Sequence, residues 1–223
     1  MGLGTLVFGL LLGAVSGHLA KAGSPGRVLG RTTVHIAVLS AAVPAQFWLG
    51  FWGVVLYGTV LTSVVALGYL RKERSSLYRI LAADEGEATS GPILLPMAAT
   101  ALGGGLGVLL VGPFALVGYL VCGWGDGAAG MVGRVFGHRR YTRPFLKARA
   151  PFRTLEGSTA FLVSATLGGW AALSLLGHPT LTSIGMGVVV SLVGTVAEGM
   201  SGKGTDNFWT QLLPSLTAWW FLG

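Results

Sequence analysis

The chain has 223 residues, 52% of them hydrophobic and only 10% charged, against about 25% charged in ordinary soluble domains. That balance excludes a soluble globular domain and implies an all-α polytopic membrane protein; the 37 glycines suit close packing between membrane helices. The net charge of +7 would suggest nucleic acid in a soluble chain, but here the basic residues fall in short loops between apolar runs. Topology and anionic phosphates explain them there, and no nucleic-acid partner is expected.

Apolar segments read along the chain at about Leu3–Ala20, Val34–Leu49, Phe51–Leu70, Pro92–Leu102, Leu106–Cys122, Thr159–Leu176, Leu181–Ala197 and Phe208–Leu222. A spanning helix needs about 17–25 residues. The fourth segment is short, and Gly103-Gly104-Gly105 separates it from the fifth, so residues 92–122 make one or two crossings. The expectation is seven or eight transmembrane helices with short cytoplasmic loops, all in one domain over residues 1–223. Residues 1–20 read as a retained helix, because no charged region precedes the first apolar run.

The basic residues set the orientation. Lys21, Arg27 and Arg31 occupy the first long loop, and Arg71, Lys72, Arg74 and Arg79 the next. Arg134, Arg139, Arg140, Arg143, Lys147, Arg149 and Arg153 occupy the third, and Lys203 the last. With eight crossings, all fifteen fall on one side, which the positive-inside rule makes the cytoplasm. Cys122 is the only cysteine, which excludes an intrachain disulfide and a cysteine metal cluster.

Half of the eight carboxylates border apolar segments: Asp126, Glu156, Glu198 and Asp206. A charge inside hydrocarbon costs roughly 2.5–3.5 kcal/mol or more, so each implies a partner, either a metal ion or a basic group. Gly123-Trp124-Gly125-Asp126-Gly127 reads as the end of the fifth segment. Gly127, Gly130, Gly133 and Gly137 then follow at spacings of three, three and four. On a helix these give a strip free of side chains. Arg134 lies eight residues beyond Asp126, near the same face of such a helix. The physical reading is a nucleotide-phosphate site. An acid would hold Mg²⁺ against phosphate oxygens, while arginine forks neutralise the remaining charge. Asp206 reads as an N-cap that could also bind metal. Glu198, at a helix C-terminus where an acid opposes the dipole, reads as a partner for Lys203. Trp124 could stack on a base or simply anchor its helix.

Four motifs together resemble the CTP-dependent lipid kinases: dolichol kinase, phytol kinase and yeast-type diacylglycerol kinase, distant relatives of phosphatidate cytidylyltransferase. The first is Arg31-Thr32-Thr33-Val34-His35. The second runs from Gly125-Asp126-Gly127 to Val132-Gly133-Arg134-Val135-Phe136-Gly137. The third is Arg153-Thr154-Leu155-Glu156-Gly157-Ser158, and the fourth is Glu198 followed by Asp206-Asn207. Arg153 and Thr154 replace the family's usual Lys-Ser, and Thr32 replaces a usual lysine.

The resemblance implies phosphoryl transfer from CTP to the hydroxyl of a membrane lipid alcohol. Phytol, another prenyl or polyprenyl alcohol, or diacylglycerol would serve, in a bacterial or archaeal plasma membrane with the site facing the cytoplasm. It implies Asp126 and Asp206 as Mg²⁺ ligands, with Asp126, Glu156 and Glu198 in catalysis and Glu156 or Glu198 as the base. Gly125, Gly127, Gly133, Arg134, Arg139, Arg140, Lys147, Arg153, Ser158 and Asn207 would bind nucleotide. Two other readings stand beside it. Cytidylyl transfer to a lipid phosphate would release pyrophosphate, and a small transporter would place its charges near the bilayer midplane.

Overall fold

The computed structural model describes residues 23–71, 91–142, 153–202 and 204–223, with Leu11, Val15, His18 and Tyr78 as isolated positions. The segment Leu3–Ala20 as a whole, and Lys147 and Lys203, lie outside the described residues.

Among the described residues six helices carry the architecture: α1 (Gly23–Arg71), α2 (Gly91–Val111), α3 (Ala115–Val135), α4 (Leu155–Leu175), α5 (Thr180–Met200) and α6 (Asp206–Leu222). A 3₁₀ turn (Gly112–Phe114) joins α2 to α3, and two short strands, β1 (Arg140–Tyr141) and β2 (Arg153–Thr154), precede α4. Among the described residues four stretches are long and apolar enough to cross a membrane: Leu29–Arg71, Ile93–Val135, Leu155–Leu175 and Thr180–Met200. The chain is an all-α membrane protein.

Two of those stretches fold back on themselves. Gly50 sits at φ 57, ψ −140, and the Tyr57 hydroxyl donates to the Val38 carbonyl at 2.7 Å. A straight helix would hold those residues about 28 Å apart, so 23–49 and 51–71 are antiparallel arms around Gly50. The sequence placed this break correctly. It misplaced the next one. Gly103-Gly104-Gly105 continues α2, and the chain reverses at Gly112 (φ 53) and Pro113. The Tyr119 hydroxyl then reaches the Gly104 carbonyl at 3.3 Å. The glycines let neighbours approach this helix: a Cβ on Gly103 would lie 3.0 Å from the Phe208 backbone, while Gly105 faces open space. The real stop was legible in the Gly-Pro pair, where proline removes a donor and glycine supplies positive φ.

α3 is the central post. Leu116, Val117, Tyr119, Leu120 and Val121 are buried on it, against Phe161, Ala165, Ala172 and Leu173 of α4 and Ala218 of α6. Small residues permit this approach. A Cβ on Gly118 would lie 2.1 Å from the Gln211 carbonyl oxygen, and one on Gly168 would lie 2.6 Å from that of Leu120. Interhelical hydrogen bonds add to the packing, among them Thr166–Ser191 at 2.7 Å and Trp124 Nε1 to Ser40 Oγ at 3.0 Å. Trp124 is thus an anchor between α1 and α3.

These contacts run the helices up and down. The turns at Gly50, Gly112–Phe114 and Gly177 gather at one end. The start of α1, the end of α3, the start of α4, the end of α5 and the start of α6 gather at the other, with every described charged residue of the site.

Candidate active site

The site grows from α3, which does not stop at Gly123–Gly127 as expected from sequence but runs on to Val135. Asp126 therefore projects from within a helix. The glycine strip around it mostly receives neighbours rather than ligand. A Cβ on Gly125 would strike the Phe161 ring at 2.8 Å, one on Gly127 would strike Ile36 at 2.6 Å, and one on Gly137 would strike Thr154 at 2.6 Å. Gly130 alone of the four strip glycines faces open space.

The N-terminal motif lies on α1 and crosses α3 at this point. Thr32 Oγ1 reaches the Gly127 carbonyl at 3.4 Å, and His35 Nε2 stands 3.5 Å from Asp126 Oδ2. Both His35 and Asp126 are partly exposed.

The third motif begins α4. Thr154 is its N-cap, its hydroxyl accepting the Gly157 N–H at 3.1 Å, which satisfies an otherwise orphan first-turn donor. β1 and β2 pair antiparallel, Arg140 opposite Thr154 and Tyr141 opposite Arg153, and so clip the two ends of the basic loop together. Glu156 accepts the Arg139 N–H at 3.2 Å, and Ser158 Oγ lies 2.7 Å from the Tyr141 hydroxyl. Both side chains thus have structural work in holding the clip.

Arg153 is the hub. Its guanidinium pairs with Glu198 through Nη1 and with Asp206 Oδ2 through Nη2 at 2.8 Å. Glu198, 1% exposed, takes Arg153 as a partner; the expected pairing with Lys203 falls outside the described residues. Burial works most strongly against the guanidinium's charge, but Glu198, Asp206 and Asp126 together outweigh it and raise its pKa. Its buried Nε has no hydrogen-bond partner. Asp206 is the first residue of α6, and Thr205, not Asp206, holds the N-cap position. Asp206 still caps in effect, since its Oδ1 accepts the Asn207 N–H at 3.1 Å.

Between these groups and the helices lies a cavity of about 1050 Å³. Its charged mouth is formed by Arg31, His35, Asp126, Arg134, Arg153, Glu198 and Asp206, with Gly127, Gly133, Ser158 and Asn207 beside them. Deeper walls come from the 51–71 arm and α2 and are mostly apolar: Phe51, Val54, Leu61, Ile93, Met97, Ala101 and Val108. Gly125, Arg139, Arg140 and Glu156 do not line it. Arg139 and Arg140 are exposed on the clip. Among the described residues no group of three or more His, Cys, Asp or Glu side chains is gathered as a metal site.

The chain is similar to a phytol kinase. That protein, from Synechocystis sp., is 27% identical over 198 residues, which cover 88% of this chain and 80% of the kinase. No family model and no solved structure matches. The similarity supports a membrane kinase acting on a lipid.

Sequence reasoning missed Thr100, Tyr119 and Gln211, which also line the cavity. Each is a polar residue inside an apolar run, and that was the one signal available.

Proposed function

We propose that the chain transfers the terminal phosphoryl group of a nucleoside triphosphate, CTP in preference to ATP, to the hydroxyl of a membrane lipid alcohol. Phytol or another prenyl or polyprenyl alcohol is the favoured class. The observation that carries this reading is the two-part cavity: a charged mouth continuous with an apolar interior. A phosphate donor and a hydrocarbon acceptor need those two surroundings side by side. At about 1050 Å³ the cavity stands at the upper end of the roughly 300–1,000 Å³ range of small-molecule sites.

Arg134 and Arg153 would hold the triphosphate, and charge spreading over the transferring group would be met by their guanidinium groups. Asp126 suits Mg²⁺, because its partly exposed oxygens face the cavity with His35 as neighbour. The oxygens of Asp206 are already engaged by Arg153 and the Asn207 N–H. An ion there would be completed by phosphate oxygens and water, and would neutralise the phosphates. The lipid oxygen bonds to the terminal phosphorus as the bond to the CDP oxygen breaks. Its proton goes to Glu198, which lines the cavity as Glu156 does not.

On this reading the arms 23–49 and 51–71 and helices α2 to α6 would each cross the membrane, seven crossings in all. The segment Leu3–Ala20 would make eight. By the positive-inside rule the charged mouth faces the cytoplasm of a bacterial or archaeal plasma membrane.

The test is the by-product. Purified protein given CTP, Mg²⁺ and phytol should release CDP and no pyrophosphate. Pyrophosphate release with a lipid phosphate as acceptor would replace this reading with cytidylyl transfer.

A further inference from the structure

Gln211 lies on α6 between the charged mouth and the apolar interior, about 7.5 Å of helix rise below Asp206. Its side chain is 1% exposed and lines the cavity. Its amide nitrogen donates to two carbonyl oxygens, that of Asn207 at 2.9 Å and that of Thr100 at 3.3 Å. Those two acceptors fix which way the amide faces, because a flip would set oxygen against oxygen. The Oε1 atom is therefore turned the other way, and it has no hydrogen-bond partner. It looks toward Gly104, another cavity residue, where an added Cβ would stand 3.2 Å from it. The neighbouring polar groups are already engaged: Thr100 Oγ1 with the Pro96 carbonyl and the Asn207 amide, and the Tyr119 hydroxyl with the Gly104 carbonyl.

A buried oxygen that can only accept selects for a donor, since an ester or ether oxygen placed against it would leave both acceptors unpaired. Resting on the lipid-kinase reading, we infer that Gln211 is a specificity-determining residue: its Oε1 accepts a hydrogen bond from the hydroxyl of the lipid alcohol. In the bound alcohol the contact holds that hydroxyl below the charged mouth; at the transfer step its single proton turns from Gln211 Oε1 to Glu198 as the oxygen bonds to the phosphorus.

The experiment measures binding of phytol and of phytyl methyl ether, which lacks the donor. The samples are purified wild-type protein, Gln211→Leu and Gln211→Met in detergent, each with a melting curve to verify folding. Wild type should prefer the alcohol by about tenfold or more, and both variants should bind alcohol and ether alike, with CTP affinity changed less than about twofold. In turnover the KM for phytol should rise by a similar factor while kcat falls less than about threefold. A wild type without preference, or a variant that keeps it, would overturn the role of Gln211. Should the preference disappear in the variants while no lipid is phosphorylated even by wild type, Gln211 stands and the kinase reading falls.

Discussion

The two ends of the helical bundle are built from the same kind of apolar helix and put to opposite uses. At the end of the Gly50 and Gly112–Phe114 turns the described chain carries no charged residue, and Phe47, Trp48, Trp52 and Trp220 stand exposed. Aromatic rings of that kind anchor a helix end at the membrane interface. At the other end three carboxylates and three arginines surround a cavity mouth, tied through Arg153. The difference teaches where the cost of burying charge is accepted. The aromatic end needs only closure and anchoring, whereas the charged end keeps ion pairs that a purely structural bundle would replace with apolar packing.

Substitutions should separate the two ends, and the largest effect belongs to Asp126. Asp126→Ala should lower turnover about a thousandfold or more, while membrane insertion and the melting temperature stay close to wild type. Full activity would remove Asp126 from the mechanism. Arg153→Met comes next. It strands Glu198 and Asp206, and breaking a buried pair costs about 3–5 kcal/mol. Denaturation in detergent should show that loss, and adding Glu198→Gln should recover part of it.

The two candidate bases sharpen the contrast within the charged end. Glu198→Gln should reduce kcat by about 10²–10⁴, the range for a general base. Glu156→Gln should leave kcat nearly unchanged and loosen only the Arg139–Glu156 clip, read as faster proteolysis of the basic loop. Equal losses would place both carboxylates at the reacting hydroxyl. At the aromatic end, Gly50→Ala should cost about 1–3 kcal/mol of stability, since φ 57 with ψ −140 is strained for any side chain. Its kcat should not change.

Much of this arrangement was legible in the sequence, for physical reasons that differ by feature. The all-helical membrane class followed from composition, and the break at Gly50 from the lengths of its flanking segments. The four motifs, read along the chain, do meet at one end, as the order and spacing of apolar segments require. The end of α3 was misread because five glycines in a row of small residues look like a loop. They lie in a helix, and at Gly125, Gly127 and Gly133 the space a side chain would need is taken by Phe161, Ile36 and Thr154. Arg153 as a partner of Glu198 was missed because a nearby lysine in sequence is easier to see than an arginine one helix pair away. Gln211 was missed entirely, since only the fold reveals that its amide nitrogen is committed and its oxygen is not.

The central claim is that the charged mouth carries phosphoryl transfer to a lipid in the apolar interior. Its most direct test uses CTP labelled at the γ-phosphate, with Mg²⁺ and phytol, in purified wild-type protein beside Asp126→Ala. The account predicts label in the extracted lipid from wild type and none from the variant. Label reaching the lipid equally in both, or no lipid label from folded wild type with any prenyl alcohol or diacylglycerol, would contradict it.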